Sequence, residues 1–276
     1  MKVGIIVNET KSEAPQFAMK LVAAFAKRGI SVEVCKKRDE KQEKMFENVD
    51  VVITIGGDGT FLRAASKTID RGTPVVGFNL GTLGFLTEFE QKDIEKAAER
   101  IATGDYDIEE RSVLSVFEET GNGEREFIGY AVNDAVVTRE SDGNVAYLSL
   151  EIRGVPVDTY PCDGLIVATQ TGSTGYSLSA GGPIVEPGND IILITPICSH
   201  RLGSKTIVAR PESEIKIMPV KKTKRIILVI DGKNSKKLNE NSSVVCVRGE
   251  KNLKIIRMDP PNFYRTVQNK LVGGNT

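Results

Sequence analysis

The chain has 276 residues, and its 37 basic and 37 acidic side chains leave no formal net charge. This balance gives no support to a role on nucleic acid or at a membrane surface, because both usually need a basic excess. Hydrophobic residues make up 40% of the sequence, which is ordinary for a globular protein. No apolar run approaches the roughly 20 residues that span a bilayer, so we expect no membrane segment.

The ends and the cysteines indicate a cytoplasmic protein. The N-terminus enters an apolar run at once, without the basic and small-residue flanks of a signal peptide. Cys35, Cys162, Cys198 and Cys246 are far apart and form no CxxC pair, and a single histidine leaves no zinc-type spacing. We therefore expect reduced, mostly buried thiols, and we assign no metal ligand.

Strand and helix signals alternate over the first hundred residues. The continuous apolar run 3–7 is typical of a strand buried on both faces. The alternation predicts a doubly wound α/β domain with a parallel sheet over residues 1–107. Its predicted strands are 3–7, 31–35, 51–55 and 74–78, and its predicted helices are 15–28, 61–71 and 94–101.

The pattern changes after about residue 107. Short strand-like segments separated by turns predict a β-rich domain over residues 108–259. The tail returns to a helical pattern at 262–272, and we expect residues 260–276 to pack back on the first domain. The predicted strands are 112–117, 127–138, 145–152, 164–169, 191–197, 214–218, 225–230, 244–247 and 253–258.

The strongest local signal is Gly-Gly-Asp-Gly-Thr at residues 56–60, between an apolar run and a predicted helix. Its glycines let backbone N–H groups approach an anion, and the helix N-terminus adds a partial positive charge. The loop is therefore suited to a phosphate chain. A carboxylate there repels phosphate, so we expect Asp58 to hold a cation or to accept a proton from a hydroxyl group. A plain turn in which Asp58 caps the helix is the alternative.

Two polar segments stand out in the second half. Residues 172–179 offer hydroxyl groups, flexible backbone and one aromatic ring, which suits an adenosine, although a surface turn would have a similar composition. Asn133 and Asp134 lie inside the apolar run 130–137, where polar side chains need a reason. An amide beside a carboxylate can bind the vicinal hydroxyls of a ribose. A β-bulge with a buried polar pair is the alternative.

Together these motifs resemble the NAD kinase family, in order and over nearly the whole chain. The loop 56–60 is similar to a phosphate loop that NAD kinases share with diacylglycerol and sphingosine kinases and with phosphofructokinases. Residues 163–183, DGLIVATQTGSTGYSLSAGGP, resemble the long second signature of NAD kinases. Residues 83–87, LGFLT, and the segments 195–198 and 231–232 also resemble segments of that family.

The resemblance implies a reaction and a set of site residues. The reaction transfers a phosphoryl group from ATP or polyphosphate to the 2′-hydroxyl of the adenosine ribose of NAD. Mg²⁺ or another divalent metal is the implied cofactor, and a homodimer or homotetramer is the implied assembly. Asp58 is then the general base. The phosphate donor is expected on Gly56, Gly57, Gly59, Thr60 and Arg63, and NAD on Asp58, Gly59, Arg63, Phe85, Asn133, Asp134, Asp163, Thr174, Gly175, Tyr176, Ser177, Leu178, Ser179 and Lys233.

The chain departs from the usual family pattern at several positions. Asp134 stands where the family usually has Glu, and Pro161 where it often has Arg. Gln170 and Gly175 replace a common Pro and Ala, a variant more similar to the archaeal branch. Lys233 stands where Gln is common, and we hypothesise that it steadies the 2′-phosphate of the product or a phosphate of the donor. A solvated position in the turn 233–237 is the alternative.

Two other functions stay open at the level of sequence. A lipid kinase of the diacylglycerol type would share the phosphate loop but would need an apolar pocket for acyl chains, whereas residues 172–179 are polar. A non-catalytic dinucleotide sensor would share the fold. Asp58 argues against the sensor, because a pure binder gains nothing from a carboxylate that faces phosphates.

Overall fold

The computed structural model describes residues 1–36, 42–81, 84–140, 145–201, 203–220, 223, 225–239, 241–258 and 263–272. The chain divides into two compact units. Unit 1 comprises Met1–Glu110 and Leu253–Thr276, and unit 2 comprises Arg111–Asn252. Unit 1 therefore contains both ends of the chain.

Unit 1 is a parallel sheet covered by helices, as the sequence predicts. Its strands are β1 (Lys2–Val7), β2 (Ser31–Lys36), β3 (Val51–Gly56), β4 (Val75–Asn79) and the end of the long strand β16 (Ser243–Arg257). Their order is β2-β1-β3-β4-β16, and the pairings between these neighbours are parallel. The apolar runs of β1 and β3 are buried along nearly their whole length, because helices cover both faces of such a sheet.

The helices of unit 1 supply the apolar faces that cover this sheet. Phe17 and Leu21 of the first helix pack with Ile53 and Phe78 of the sheet in one buried cluster. Gly104 ends the fourth helix in the left-handed conformation that glycine adopts without strain. The helices are α1 (Ala14–Ala26), α2 (Gln42–Glu47), α3 (Asp58–Thr68) and α4 (Ile94–Thr103), followed near the C-terminus by α6 (Phe263–Val267) and one π-helical turn, Gln268–Val272. The short helix α5 (Tyr176–Ser179) belongs to unit 2.

Unit 2 is built from two antiparallel sheets whose inner faces share one core. The remaining strands are β5 (Asp107–Glu119), β6 (Arg125–Ala131), β7 (Asp134–Arg139), β8 (Ala146–Ile152), β9 (Val155–Cys162), β10 (Gly164–Thr169), β11 (Ile192–Ile197), β12 (Ile207–Ala209), β13 (Ile215–Pro219), β14 (Ile226–Ile230) and β15 (Asn234–Lys237). One sheet has the order β12-β11-β10-β7-β14-β15. In the other, β13 lies between β8 and the start of β16, β9 pairs with β8, and β6 pairs with β5.

The core of unit 2 draws alternate residues from both sheets. Leu148 and Ile217 of one sheet pack with Leu165 and Leu228 of the other. This alternation is the pattern of a β-sandwich. The predicted class, an α/β domain with a parallel sheet plus a β-rich domain, is confirmed.

Some predicted elements differ from the observed ones. The run 127–138, predicted as one strand, is two strands in different sheets, β6 and β7, with a break at Val132 and Asn133. The predicted strands 244–247 and 253–258 form the single strand β16. The short elements α2, β9, β12 and β15 were not predicted. The predicted tail helix begins at residue 262, which lies outside the described residues.

The cysteines have the expected environment. All four are free thiols, and Cys35, Cys162 and Cys246 are buried while Cys198 is exposed. Burial raises the pKa of the Cys162 thiol to about 12, so the group stays protonated and unreactive. Among the described helices, none combines the length and apolar character needed to cross a bilayer.

Candidate active site

Three adjacent strands of unit 1 end at one edge of the sheet. β1 ends at Val7, β3 at Gly56 and β4 at Asn79, and the three strands run parallel. Ligands of open parallel sheets bind in the loops at the carboxyl ends of the strands. The loop 56–60 leaves β3 at this edge and leads directly into α3.

The backbone of the loop 56–60 is open at Gly57 and closely packed at Gly56. Gly57 precedes α3 in an extended conformation, and its carbonyl accepts the N–H group of Thr60 at 2.8 Å. A Cβ at Gly57 would meet no atom within 4 Å, so the main chain there is approachable. A Cβ at Gly56 would lie 2.4 Å from Oγ1 of the buried Thr60, so the packing beneath the loop requires glycine. The loop leads directly into the N-terminal end of α3, which carries a partial positive charge.

Asp58 is the first residue of α3, and its carboxylate is fixed by the next loop along the sheet edge. Its Oδ2 accepts the N–H group of Phe85 at 3.0 Å, and its Oδ1 accepts that of Leu86 at 3.3 Å. The ammonium group of Lys270 lies 3.8 Å from Oδ2. The carboxyl side chain remains 30% exposed. Asp58 is therefore a charged group held in one orientation yet accessible to a ligand.

Gly84 makes this arrangement possible. A Cβ on Gly84 would lie 1.8 Å from Oδ1 of Asp58, well inside van der Waals contact. The Gly84 N–H group donates to Oγ1 of Thr87 at 2.9 Å, which fixes the loop against the carboxylate. A glycine is required here because the backbone approaches the acid too closely for any side chain.

Arg63 lies one turn into α3 and is partly buried. Its Nε is buried and has no hydrogen-bond partner among the described residues. A buried guanidinium N–H without an acceptor is costly, and an anionic ligand would supply one.

Unit 2 contains a pocket of about 360 Å³ at the place where β7 and β14 pair. Polar side chains and one aromatic ring surround it, which suits a ligand with both a flat ring and hydroxyl groups. The pocket is lined by Asn133, Asp134, Val136, Thr138, Tyr176, Val229, Asp231 and Gly232.

Asp231 organises the wall of this pocket. Its Oδ1 accepts the N–H groups of Asn133 and Asp134 at 2.8 and 3.1 Å, and its Oδ2 accepts that of Val132 at 3.0 Å. These three bonds satisfy the amides at the break between β6 and β7, where ladder pairing stops. Asp231 itself has a φ of 48°, a left-handed conformation that Asp tolerates better than most residues. Asp231, which precedes Gly232 directly after β14, thus holds the backbone at the break between β6 and β7.

Asp134 is 5% exposed and shares the pocket with Asp231. Burial, followed by the nearby charge of Asp231, raises the pKa of the Asp134 carboxyl to about 7. Burial also raises the pKa of Asp231, against the three N–H groups and the charge of Lys233, which lower it. Beside them, Oδ1 of Asn133 is buried and has no hydrogen-bond partner among the described residues. The pocket therefore presents acceptors that a ligand with hydroxyl donors would satisfy.

The segment 171–179 packs against this wall through its glycines. A Cβ on Gly172 would lie 2.0 Å from the carbonyl oxygen of Asn133, so this position also requires glycine. At Gly175 a Cβ would lie 3.3 Å from Nδ2 of Asn133 and 3.7 Å from Oδ2 of Asp134. The ring of Tyr176 lines the pocket and is 47% exposed.

Other predicted NAD-binding residues lie elsewhere in unit 2. Ser177 is fully buried and its hydroxyl is hydrogen-bonded to Thr195 at 2.9 Å, so it supports the segment from beneath. Thr174 turns its hydroxyl to the carbonyl of Thr171 at 3.3 Å. Leu178 is partly buried and Ser179 is exposed. None of these four is among the residues that line the pocket described here.

Asp163 and Lys233 also lie outside that lining. Asp163 forms an ion pair with Arg139, whose Nε lies 2.9 Å from its Oδ1, and it keeps 34% of its side chain exposed. Lys233 belongs to the turn between β14 and β15, and its charge lowers the pKa of Asp231. Lys233 is therefore close enough to the pocket to act on it electrostatically.

The sequence did not predict a role for three residues that the structure places at the two sites, Asp231, Gly84 and Lys270. Asp231 had a detectable signal, since an acid followed by glycine directly after the apolar run 225–230 resembles a site at a strand end. Gly84 lay within a recognised segment, but its closeness to Asp58 depends on two loops meeting. Lys270 had no signal, because its neighbours Asp58 and Phe85 are distant in the sequence.

The family comparison covers both units. Residues 36–106 match the family model of the ATP-NAD kinase N-terminal domain, and residues 132–258 match that of the ATP-NAD kinase C-terminal domain. The chain belongs to the NAD kinase family. It is 38% identical over 271 residues to the NAD kinase of Caldicellulosiruptor bescii, covering 98% of this chain and 99% of the relative. It is 34% identical over 282 residues to the NAD kinase of Methanothermobacter thermautotrophicus, covering 99% and 97%.

Solved structures of NAD kinases have the same fold. An NAD kinase from Archaeoglobus fulgidus in complex with ATP is 27% identical, with a TM-score of 0.80 and full coverage of both chains. Yeast NADH kinase complexed with NADH is 25% identical, with a TM-score of 0.84 and coverage of 100% of this chain and 89% of that one. The NAD kinase prediction is confirmed at the level of the family, and neither the lipid kinase nor the non-catalytic sensor is favoured.

Proposed function

We propose that this protein is an NAD kinase that transfers the terminal phosphoryl group of ATP to the 2′-hydroxyl of the adenosine ribose of NAD. The observation that carries the proposal is the fixed carboxylate of Asp58 inside an anion-binding loop, in a chain of the NAD kinase family. Such a carboxylate has no use in holding phosphate. It does have a use beside a hydroxyl group that must lose a proton.

The donor site is assigned to the loop 56–60. Backbone N–H groups of the loop and of the first turn of α3 bind the phosphate oxygens. Arg63 contributes its guanidinium, whose buried Nε has no acceptor among the described residues. A relative was solved in complex with ATP, which supports ATP as the donor. Inorganic polyphosphate offers the same phosphate groups without the adenosine of ATP, so it is the second donor to test.

NAD is assigned to the pocket of unit 2. Asn133 and Asp134 bind the ribose hydroxyls, because both line the pocket and Oδ1 of Asn133 has no hydrogen-bond partner among the described residues. Tyr176 offers its exposed ring to the adenine. Gly175 and the residues 174–179 around it form the neighbouring backbone. Asp163, paired with Arg139 in this chain, is assigned to the nicotinamide side by its likeness to the family motif.

Asp58 then takes the proton of the 2′-hydroxyl. A carboxylate is a weak base for an alcohol, so proton transfer follows the formation of a metaphosphate-like γ-group. Most of the acceleration must therefore come from positioning and charge stabilisation. The two N–H groups that fix Asp58 contribute to positioning, since they leave its carboxylate one orientation.

A divalent metal at this site would be held by one carboxylate of the loop together with the phosphates of the donor. Among the described residues no group of three His, Cys, Asp or Glu side chains is arranged to hold one. Mg²⁺ in kinases is usually held by substrate phosphates, water and one or two carboxylates. Asp58 is the carboxylate of this loop, so it would hold Mg²⁺ together with the donor. Bound there, Mg²⁺ would neutralise charge on the phosphates.

Family likeness also implies a homodimer or homotetramer in the cytoplasm, with Asp163 serving a neighbouring subunit. Light scattering of the purified protein at several concentrations tests the assembly. A monomer at all concentrations would remove that role of Asp163.

The activity is tested by incubating the protein with ATP and NAD and measuring NADP with an NADP-specific dehydrogenase. Parallel reactions replace ATP by polyphosphate, NAD by NADH, and NAD by its analogue with a 2′-deoxy adenosine ribose. We expect NADP from ATP and NAD, and no phosphorylation of the deoxy analogue. Labelled phosphate transferred to diacylglycerol, or to the deoxy analogue, would overturn the proposal.

A further inference from the structure

The C-terminal segment of unit 1 contacts the catalytic carboxylate. Phe263, the first residue of α6, places its ring 6.1 Å from the ring of Phe85. The following π-helical turn carries Lys270, whose ammonium nitrogen lies 5.3 Å above the centre of the Phe85 ring and 3.8 Å from Oδ2 of Asp58. Lys270 thus lies over the same loop residue whose N–H group holds Asp58.

Lys270 lies close to Asp58 but does not form a hydrogen bond with it. A separation of 3.8 Å is too long for a hydrogen bond, so the ammonium group keeps its donors while feeling the charge of Asp58. The carboxylate in turn is already satisfied by the N–H groups of Phe85 and Leu86. Both charged side chains remain partly exposed, at 26% for Lys270 and 30% for Asp58. Exposed pairs of this kind contribute little to stability, so stability does not explain the position of Lys270.

Binding of a phosphate explains the position of Lys270 better than a contribution to stability does. A phosphate seated beside Asp58 meets the repulsion of its carboxylate, and a cation at a similar distance offsets that repulsion. Arg63 lies one turn into the helix that follows the loop. Lys270 lies 3.8 Å from Oδ2 of Asp58, although it comes from the other end of the chain. A compact ammonium on a flexible stem can move between a carboxylate and a phosphate by rotation of its own side chain.

We propose that Lys270 is a donor-binding residue whose ammonium group contacts the terminal phosphate of the phosphoryl donor. This inference rests on the proposed function. During transfer the bond between the γ-phosphorus and the oxygen of ADP breaks, with its electrons going to ADP. A bond forms between that phosphorus and the 2′-oxygen, and the hydroxyl proton goes to Asp58. Lys270 takes no part in the bond changes and offsets the charge of the donor's terminal phosphate.

The test compares Lys270→Met, which removes the charge at similar length, with Lys270→Arg, which keeps it. Lys20→Met, on the exposed surface of α1, is the matched control. The first readout is the dissociation constant of the β,γ-imido analogue of ATP by calorimetry, at low and high salt. We expect Lys270→Met to weaken analogue binding by about 10- to 100-fold, the range for loss of a hydrogen bond to a charged group. We expect a flatter salt dependence in Lys270→Met and near-normal binding in Lys270→Arg and Lys20→Met.

Steady-state kinetics give the second readout. Lys270→Met should raise KM for ATP and leave KM for NAD within about twofold, because uniform binding of only one substrate is lost. Unchanged analogue binding in folded Lys270→Met would overturn the proposal, as would a raised kcat, which would make Lys270 an inhibitory contact. A wild-type protein that binds the analogue but forms no NADP would overturn the proposed function instead and leave the binding result standing.

Discussion

Asp134→Asn should stabilise the protein at alkaline pH while weakening NAD binding. The Asp134 carboxyl is 5% exposed, and burial together with the charge of Asp231 raises its pKa from 3.8 to about 7. The folded protein therefore binds more protons than the unfolded chain between about pH 4 and 7, so the free energy of unfolding falls as pH rises through that window. A shift of about three units corresponds to roughly 4 kcal/mol. An amide has no proton to lose and avoids this cost.

Urea unfolding at several pH values between 5 and 8 measures the effect. The difference between Asp134→Asn and wild type should grow with pH and approach roughly 4 kcal/mol at pH 8. Asp190→Asn is the matched control, because the Asp190 carboxylate is 38% exposed and pairs with Arg248 on the surface of the same unit. Equal pH dependence in wild type and Asp134→Asn would refute the reasoning. Stabilisation without loss of NAD affinity would refute the assignment of Asp134 to the ribose.

Three further variants test other contacts. Gly84→Ala should lower kcat at least about tenfold and also lower the melting temperature, since its Cβ would lie 1.8 Å from Oδ1 of Asp58 and must displace it. Gly81→Ala, whose Cβ would find its nearest atom at 3.7 Å, should be active. Equal activities of the two variants would show that Gly84 does not constrain Asp58. Asn133→Ala should raise KM for NAD by about 2- to 13-fold, more than it lowers kcat, whereas a collapse of thermal stability with unchanged kinetic constants would make the residue structural. Lys233→Gln should raise the inhibition constant of NADP and flatten its salt dependence if Lys233 contacts a phosphate, and superimposable inhibition curves at both salts would end that hypothesis.

The loop 56–60 was predictable because its structure depends on residues that are adjacent in the sequence. Five consecutive residues between an apolar run and a helix define both the turn and the carboxylate, and the structure has Gly57 before α3 and Asp58 as its first residue. Buried parallel strands were equally clear, since β1 and β3 are continuous apolar runs. Features of this kind can be predicted from the sequence because they depend only on residues that are adjacent in the chain.

The pocket of unit 2 was less predictable because its geometry is set by residues far along the chain. The apolar run around Asn133 reads as one strand, but Asp231 takes the N–H groups of three successive residues and breaks the ladder there. Ser177 reads as a polar pocket residue, but Thr195 draws its hydroxyl into the interior. The short strands β9, β12 and β15 are stabilised by their partners rather than by their own pattern.

The contact of Lys270 with Asp58 was not predictable from the sequence. Its position depends on the ring of Phe263 packing near Phe85, and on Phe85 lying beside Asp58. None of these residues is close to the others in sequence except Phe263 and Lys270. Contacts of this kind are set by packing, which periodicity does not report.

Asp58 is proposed as the base for phosphorylation of NAD by ATP, and a comparison of wild type with Asp58→Asn tests this role. NADP formation by both proteins is followed with ATP and NAD, and NAD binding is measured in parallel by calorimetry. We expect Asp58→Asn to lose about 10²- to 10⁴-fold in turnover, the usual contribution of a general base, with the dissociation constant for NAD changed only several-fold. An Asp58→Asn protein that keeps more than about a tenth of wild-type turnover would contradict it, because positioning alone would then account for the reaction.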